Sequence, residues 1–236
     1  MRIGMLTPSS NTVLEPVTMR ILSSAEDVSV HFSRLRVTAI AEGDATRQQF
    51  SIPVMVEAAR LLADAKVDVI VWNGTSGGWE GLDADREIVT AVEAETSIPT
   101  TTGTLATAEA FSVLKVKRFG LVVPYTDAIT SAIKSNFAAA GYDCVAATNE
   151  GITVNWEFSK ISPGLVADRA RKVAKAHPQA IAIFCTNLCG APVVAQLEEE
   201  LGMPVVDSVV VCLWAAFHRL GHKPFLSGWG RLLERS

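Results

Sequence analysis

The chain has 236 residues, of which 49% are hydrophobic and 19% are charged, and its formal net charge is −4 at pH 7. A chain of this length can bury one large core or two smaller cores joined by a cleft. Lys and Arg are scattered and form neither the basic stripe nor the interleaved basic and aromatic pattern of nucleic-acid binders. The composition therefore indicates a globular protein and argues against a nucleic-acid partner.

The chain begins with MRIGMLTPSSNT, which lacks the charged region, apolar region and cleavage site that make up a signal peptide. No apolar run in the sequence is long enough to cross a bilayer. We therefore expect a cytoplasmic protein that does not act at a membrane. Its four cysteines, Cys144, Cys185, Cys189 and Cys212, are then expected to be free thiols.

Short β-branched runs alternate with amphipathic segments along the chain. The runs predict eight strands, at residues 2–6, 28–37, 67–72, 100–102, 118–123, 143–148, 180–184 and 205–206. Apolar residues at helical spacing predict seven helices, at residues 52–65, 83–95, 104–114, 126–140, 164–176, 191–201 and 209–219. This alternation predicts an α/β fold with open parallel sheets that carry helices on both faces.

The second half of the chain repeats three segments of the first half. The pairs are IGMLTPSSNT at 3–12 with FGLVVPYTDA at 119–128, VDVIVWNGTSGG at 67–78 with QAIAIFCTNLCG at 179–190, and IPTTTGTLATAEAF at 98–111 with MPVVDSVVVCLWAAF at 203–217. A repeat of this length is too long for a solenoid and indicates two pseudo-symmetric half-domains that face each other across a cleft. We expect a first half at 1–115, completed by a C-terminal helix in 207–236, and a second half at 116–206.

Each half has two polar loops that directly follow predicted strands. The loops are 8–12 and 74–76 in the first half, and 124–126 and 185–187 in the second half. Ligands of open α/β sheets bind beyond the carboxyl ends of the strands, so we expect all four loops to face one cleft. In the pairing of the halves, Gly74 takes the place of Cys185. This predicts a thiol on one side of the site and no side chain opposite it.

Cys185 is the candidate catalytic residue. It follows a buried strand and precedes a helical segment, where backbone N–H groups and the helix dipole favour an anion and lower the pKa of a thiol. A packed core cysteine is the alternative interpretation. Donors from the two opposing loops, including the Thr75 and Ser76 hydroxyls, would hold a carboxylate or the enediolate formed at its α-carbon.

The polar residues of these loops also have ordinary structural explanations. Hydroxyl and amide side chains cap helices and close turns, and a tyrosine packs in cores and interfaces. With those alternatives open, the candidate substrate-binding residues are Asn11, Gly74, Thr75, Ser76, Tyr125, Asn155 and Thr186. The cysteines and histidines lack zinc-ligand spacing, and residues 74–78 match neither GxGxxG nor a Walker phosphate loop. We therefore expect no metal site and no nucleotide site.

The loops resemble those of the aspartate/glutamate racemase superfamily, and within it the branch of arylmalonate decarboxylase and maleate cis-trans isomerase. The decarboxylase-like residues are GTS at 74–76, Tyr125, the single Cys185 in an apolar strand, and GWGRL at 228–232. The resemblance implies two pseudo-symmetric α/β halves, a small carboxylic-acid substrate and no cofactor. It further implies that Cys185 protonates the enediolate left when a substituted malonate loses CO2.

Other residues resemble the isomerase, namely PSSNT at 8–12, SRLR at 33–36 and Asn155. The departure is Gly74, because isomerases and racemases of this superfamily are expected to carry a cysteine there. One thiol cannot readily add to an alkene and also handle the proton, nor can it serve both faces of a racemase substrate. We therefore rank a decarboxylase first, an isomerase or racemase of a small dicarboxylate second, and a non-catalytic carboxylate-binding protein third. The identity of the diacid and a homo-oligomeric state stay open.

Overall fold

A computed structural model describes residues 1–41, 43, 48–223 and 225–234 of the chain. The elements of its first half, in chain order, are strand β1 (Arg2–Pro8), helix α1 (Leu14–Ile21), a 3-10 turn (Leu22–Ser24), strand β2 (Ser29–Leu35), helix α2 (Ile52–Asp64), strand β3 (Val69–Trp72), helix α3 (Gly77–Glu80), helix α4 (Leu82–Thr96), strand β4 (Thr100–Thr102) and helix α5 (Gly103–Val113).

The second half repeats the strand order of the first half and ends in one further short helix. Its elements are strand β5 (Arg118–Val122), helix α6 (Asp127–Ala139), strand β6 (Asp143–Thr148), helix α7 (Asn155–Phe158), helix α8 (Pro163–Ala174), strand β7 (Ala180–Ile183), a 3-10 turn (Ala191–Val193), helix α9 (Val194–Leu201), strand β8 (Val205–Asp207), helix α10 (Ser208–Arg219) and helix α11 (Arg231–Glu234).

The strands form two four-stranded sheets whose paired strands run parallel, in the orders β2-β1-β3-β4 and β6-β5-β7-β8. The inner strands β3 and β7 are buried along their whole length, as expected for parallel strands covered by helices on both faces. The predicted α/β fold with two pseudo-symmetric parallel sheets is confirmed.

The predicted strands are all present, with ends that differ by up to two residues from those predicted. Within the described residues, four helices were not predicted, namely α1, α3, α7 and α11. The last three have four residues each, which is too short to show helical periodicity. Helix α1 buries Leu14, Val17 and Ile21, but a proline at position 16 in its first turn obscured the pattern. The helix predicted at 191–201 begins as a 3-10 turn.

The strand registers define how the two halves correspond. Trp72 of β3 pairs with Leu6, and Ile183 of β7 pairs with Val122 at the equivalent position of the second sheet. Gly74 and Cys185 each lie two residues beyond these pairs, so the registers agree with their predicted equivalence. When segments 67–78 and 179–190 are aligned from their first residues, Gly74 falls opposite Thr186. The strand pairs shift this alignment by one residue and place Gly74 opposite Cys185.

Gly4 and Gly120, the glycine shared by both halves of the repeat, lie in the central strands β1 and β5. A Cβ atom at Gly4 would come within 3.1 Å of Leu62 in helix α2, and one at Gly120 within 2.9 Å of Val173 in helix α8. The glycines therefore allow one helix of each half to pack closely on its central strand.

Helix α10 follows the second sheet but packs against helices α1 and α5 and strands β3 and β4 of the first half. Helix α3 of the first half packs against helix α6 of the second half. These two contacts hold the carboxyl edges of the sheets together around one cleft. Within the described part of the chain, no helix has the length and apolar character needed to cross a membrane.

Candidate active site

Cys185 lies two residues beyond strand β7 at the carboxyl edge of the second sheet, and only 3% of its surface is exposed. Burial raises the pKa of its thiol to about 11. The Tyr125 hydroxyl and the backbone N–H groups of Asn187 and Leu188 stabilise the thiolate and act in the opposite direction. The thiol is therefore protonated at neutral pH, and these three donors would stabilise the thiolate once the proton has left.

This protonation state corrects the expectation of a lowered thiol pKa. The sequence suggested that Cys185 precedes a helix directly, whereas the chain forms a turn there and helix α9 begins only at Val194. The effect of a helix dipole is confined to the first turn of the helix, and Cys185 lies nine residues before the first residue of helix α9. Loss of water around the sulfur outweighs the local donors.

The opposite wall of the cleft comes from the loop after strand β3. Gly74 presents no side chain, and the next two residues present hydroxyls, of which Thr75 is 4% exposed and Ser76 is 2% exposed. The Thr75 Oγ1 atom lies 2.8 Å from the hydroxyl oxygen of Tyr125. The Ser76 Oγ atom accepts a hydrogen bond of 3.3 Å from the indole Nε1–H of Trp72.

Tyr125 follows strand β5 and brings a phenol from the second half to the Thr75 wall. Its ring packs edge-on against Trp79 and Phe158, with ring centroids 5.3 and 5.4 Å away. Burial raises the pKa of the phenol well above its ordinary value, and the neighbouring Cys185 raises it further. Tyr125 therefore stays protonated and can donate a hydrogen bond.

These residues line one cavity, which has about 290 Å³ of empty space including its mouth. Its polar wall is formed by the loops that end the strands, and its apolar wall is formed by bulky side chains. The lining residues are Pro8, Val37, Ile40, Phe50, Trp72, Gly74, Thr75, Ser76, Trp79, Tyr125, Asn155, Cys185 and Thr186. Among the described residues that line it, none carries a charged side chain. The structure thus brings together Cys185 and six of the seven candidate substrate-binding residues.

Asn11, the seventh candidate, lies behind Thr186. Its Nδ2 donates to Thr186 Oγ1 at 3.1 Å, and its Oδ1 accepts hydrogen bonds from the N–H groups of Val13 and Leu14 at the start of helix α1. The Thr186 hydroxyl in turn donates to the carbonyl of Asn73 at 2.8 Å. Asn11 and the Thr186 hydroxyl therefore tie the two halves together with their polar atoms.

Asn155 lies at the start of helix α7 and joins the same interface. Its Nδ2 donates to Ser10 Oγ at 2.7 Å, and its backbone carbonyl accepts a hydrogen bond of 2.6 Å from Asn187 Nδ2. Asn187 Oδ1 accepts from the N–H of Thr12 at 3.0 Å. Side-chain hydrogen bonds thus fix the loops of the two halves relative to each other.

Two buried carboxyl groups close to the site, those of Asp207 and Asp85, were not predicted from the sequence. Asp207 caps helix α10 by accepting from the N–H groups of Val209 and Val210, and burial raises its pKa to about 7. Its charge raises the pKa of Cys185. Asp85 accepts a hydrogen bond from the Thr102 hydroxyl, and burial raises its pKa to about 6. The one acidic residue in the valine-rich segment VVDSVVV at 205–211 was the available signal for Asp207.

The chain is similar to known proteins of one family. The family model described as arylmalonate decarboxylase matches residues 31–233. The maleate isomerase of Pseudomonas putida is 25% identical over 249 aligned residues, which cover 99% of this chain and 97% of that protein. The arylmalonate decarboxylase of Bordetella bronchiseptica is 25% identical over 189 residues, which cover 78% of this chain and 79% of that protein.

Solved structures show the same fold. Maleate cis-trans isomerase of Nocardia farcinica superposes with a TM-score of 0.90 at 24% identity, covering 100% of this chain and 98% of that chain. The relatives described here are enzymes, and they include both a decarboxylase and isomerases. Because the family model matches well over half of its residues, the chain belongs to the arylmalonate decarboxylase family.

Proposed function

We propose that this protein is a cofactor-independent decarboxylase of a substituted malonate, in which Cys185 protonates the enediolate intermediate. The observation that carries this proposal is the unequal distribution of thiols. Cys185 is the one cysteine among the described residues that line the cavity, and the equivalent position 74 has no side chain. Protonation of a carbanion from one face needs one proton donor, which this site has.

The protonation state of Cys185 also supports a role as an acid. A cysteine nucleophile acts as its thiolate. Burial raises the pKa of Cys185 to about 11, so the group carries a proton at neutral pH and can give it away. The N–H groups of Asn187 and Leu188 and the Tyr125 hydroxyl would then stabilise the thiolate that proton transfer creates.

The two walls of the cavity suit the two carboxylates of a malonate. The retained carboxylate would face the Thr75, Ser76 and Tyr125 hydroxyls. Ser76 Oγ accepts from an indole N–H, so its own hydrogen is free to donate. The 2.8 Å contact of Thr75 with Tyr125 uses one hydroxyl hydrogen of that pair and leaves the other. These donors would stabilise the negative charge of the enediolate.

The departing carboxylate would lie against the apolar wall, which includes Val37, Ile40 and Phe50. There a carboxylate loses its hydration, which favours its conversion to neutral CO2. The bond between the α-carbon and this carboxylate breaks, and its electron pair moves into the enediolate. The Cys185 proton goes to the α-carbon while the S–H electron pair stays on sulfur. Water then returns a proton to the thiolate.

A panel of diacids tests this function. The protein is incubated with phenylmalonate, methylphenylmalonate and maleate, and the products are identified by NMR. We expect CO2 and phenylacetate or 2-phenylpropionate, with activity lost in Cys185→Ala and kept in Cys189→Ala. Cys189 is a matched control because it lies four residues away and outside the cavity lining. Equal activity of Cys185→Ala and the wild type would refute the proposed role of the thiol.

A second candidate function is the isomerisation of maleate. It is favoured by the Pseudomonas putida maleate isomerase, whose alignment covers 99% of this chain. A solved structure of a Nocardia farcinica isomerase mutant contains a covalently bound succinylcysteine intermediate. Fumarate formed from maleate, together with a succinyl adduct on Cys185 seen by mass spectrometry, would favour this function over decarboxylation.

A further inference from the structure

We propose that Trp72 is a specificity-determining residue, whose indole ring excludes a second side chain from position 74 and so restricts proton delivery to the Cys185 side. This inference rests on the proposed function and extends it to a residue outside the loops. The sequence predicts that Trp72 packs in the core or in the wall of the cleft, and the cavity lining includes it.

The space next to Gly74 is filled by the indole ring. A Cβ atom built on Gly74 would lie 2.1 Å from Cζ2, 2.2 Å from Cε2 and 2.6 Å from Nε1 of Trp72. Each of these distances is far shorter than a non-bonded contact between heavy atoms. Any residue other than glycine at position 74 therefore requires the indole ring to move.

Several contacts hold the ring in place. Trp72 is fully buried, and its Nε1–H donates to Ser76 Oγ at 3.3 Å. Its ring centroid lies 6.2 Å from that of Phe50. Its backbone pairs with Leu6 on one side and with Thr102 on the other. A ring packed and bonded in this way cannot shift without breaking contacts in the core.

The second half of the protein shows the opposite arrangement. Ile183 is equivalent to Trp72, since both are the last paired residues of their strands. Two residues after Ile183 the cavity wall carries the Cys185 side chain, and two residues after Trp72 it carries none. The first half thus combines a large side chain at position 72 with glycine at position 74, whereas the second half combines a smaller side chain at position 183 with cysteine at position 185.

The consequence concerns the stereochemistry of the reaction. Racemisation of a 2-arylcarboxylic acid needs a base on one face of the α-carbon and an acid on the other. With the ring in place, the proton comes from the Cys185 side alone. The indole N–H of Trp72 is only a donor, so its bond to Ser76 Oγ does not use the Ser76 hydrogen, which can still donate to the substrate.

A double-mutant cycle between Trp72→Leu and Gly74→Cys tests the steric claim without an assay of activity. We expect Gly74→Cys alone to lower the midpoint of thermal unfolding by several degrees through overpacking. In the Trp72→Leu background the same substitution should be neutral or stabilising, because it fills the space that the indole leaves. Trp72→Phe, which keeps much of the ring but lacks the N–H group, should give an intermediate result. Additive effects of the two substitutions on the midpoint would overturn the proposal.

Exchange in D2O tests the consequence for chemistry. We expect the double variant to incorporate deuterium into one enantiomer of 2-phenylpropionate and to racemise it at least tenfold faster than the wild type or Gly74→Cys alone. Equal racemisation by Gly74→Cys alone and by the double variant would overturn the role of Trp72. If the wild type decarboxylates none of the malonates, the proposed function fails, whereas the unfolding cycle still decides whether Trp72 excludes the side chain.

Discussion

The hydroxyl oxygens of Thr75 and Tyr125 lie 2.8 Å apart and link the two halves of the protein inside the cavity. Thr75 follows strand β3 of the first sheet, and Tyr125 follows strand β5 of the second. Both side chains are almost fully buried, so each depends on a partner within the protein. This hydrogen bond therefore ties the Thr75 wall to the half of the protein that carries Cys185.

Tyr125→Phe removes this link while it keeps the aromatic packing. We expect the free energy of unfolding to fall by about 1–3 kcal/mol, because the buried Thr75 hydroxyl loses its partner. The turnover number should fall at least tenfold, since the variant also lacks the donor that stabilises the Cys185 thiolate. Urea denaturation and steady-state kinetics measure the two effects. Wild-type turnover in this variant would show that the phenol has no part in the reaction.

Thr186 joins the halves through its hydroxyl, which donates to the Asn73 carbonyl and accepts from Asn11 Nδ2. Thr186→Val keeps the shape of the side chain but removes both bonds, so we expect it to lower the free energy of unfolding by about 2–3 kcal/mol. Thr186→Ser retains the hydroxyl and should cost less than Thr186→Val. The prediction fails if the two variants unfold at the same denaturant concentration.

Asp207 makes the stability of the protein depend on pH. Its pKa is about 7 in the folded protein and 3.8 as an ordinary aspartate. Between these values the folded state holds a proton that the unfolded state has lost, so the contribution of Asp207 to stability falls as pH rises from about 4 to 7. Asp207→Asn keeps an oxygen to cap helix α10 and removes the titration.

The measurement is the free energy of unfolding of wild type and Asp207→Asn at pH 4, 5, 6 and 7. As pH rises, the free energy of unfolding of Asp207→Asn should increase relative to that of the wild type, by at most about 1.4 kcal/mol per pH unit. Asp85 remains in both proteins, so its own titration cancels in the difference. A difference that is constant over this range would show that Asp207 does not titrate there.

The pH profile of the reaction reports the role of Cys185 directly. If the protonated thiol is the acid, the rate should be level near neutral pH and fall as pH rises through the thiol pKa of about 11. Decarboxylation rates are measured from pH 7 to 10.5, where the rate should stay level and begin to fall only at the upper end of the range. A rate that increases with pH toward a plateau would indicate a thiolate nucleophile, as covalent isomerisation needs.

Much of this architecture follows from the sequence. The β-branched runs are short and buried on both faces, which is why β3 and β7 could be placed from residue type alone. The repeat predicted the two sheets, and the glycine shared by β1 and β5 has a steric reason in both halves. The single-turn helices α3, α7 and α11 were missed because four residues carry no period.

The site was less accessible to sequence reasoning because its properties depend on burial and on contacts between the halves. The pKa of Cys185 is set by desolvation, which no local pattern reveals, and the expectation of a lowered value was wrong. Asn11 has the residue type of a ligand contact, yet its amide bonds Thr186 and the start of helix α1. For Trp72 the sequence predicts a place in the core or in the cleft wall, but it does not reveal that the indole ring fills the space beside Gly74.

The most direct test of the account is the stereochemistry of methylphenylmalonate decarboxylation in D2O, followed by NMR and chiral chromatography. A proton donor confined to the Cys185 side predicts one enantiomer of 2-phenylpropionate with one deuterium at the α-carbon, formed by the wild type and by Cys189→Ala but not by Cys185→Ala. A racemic product, or the same product from Cys185→Ala at the wild-type rate, would contradict it.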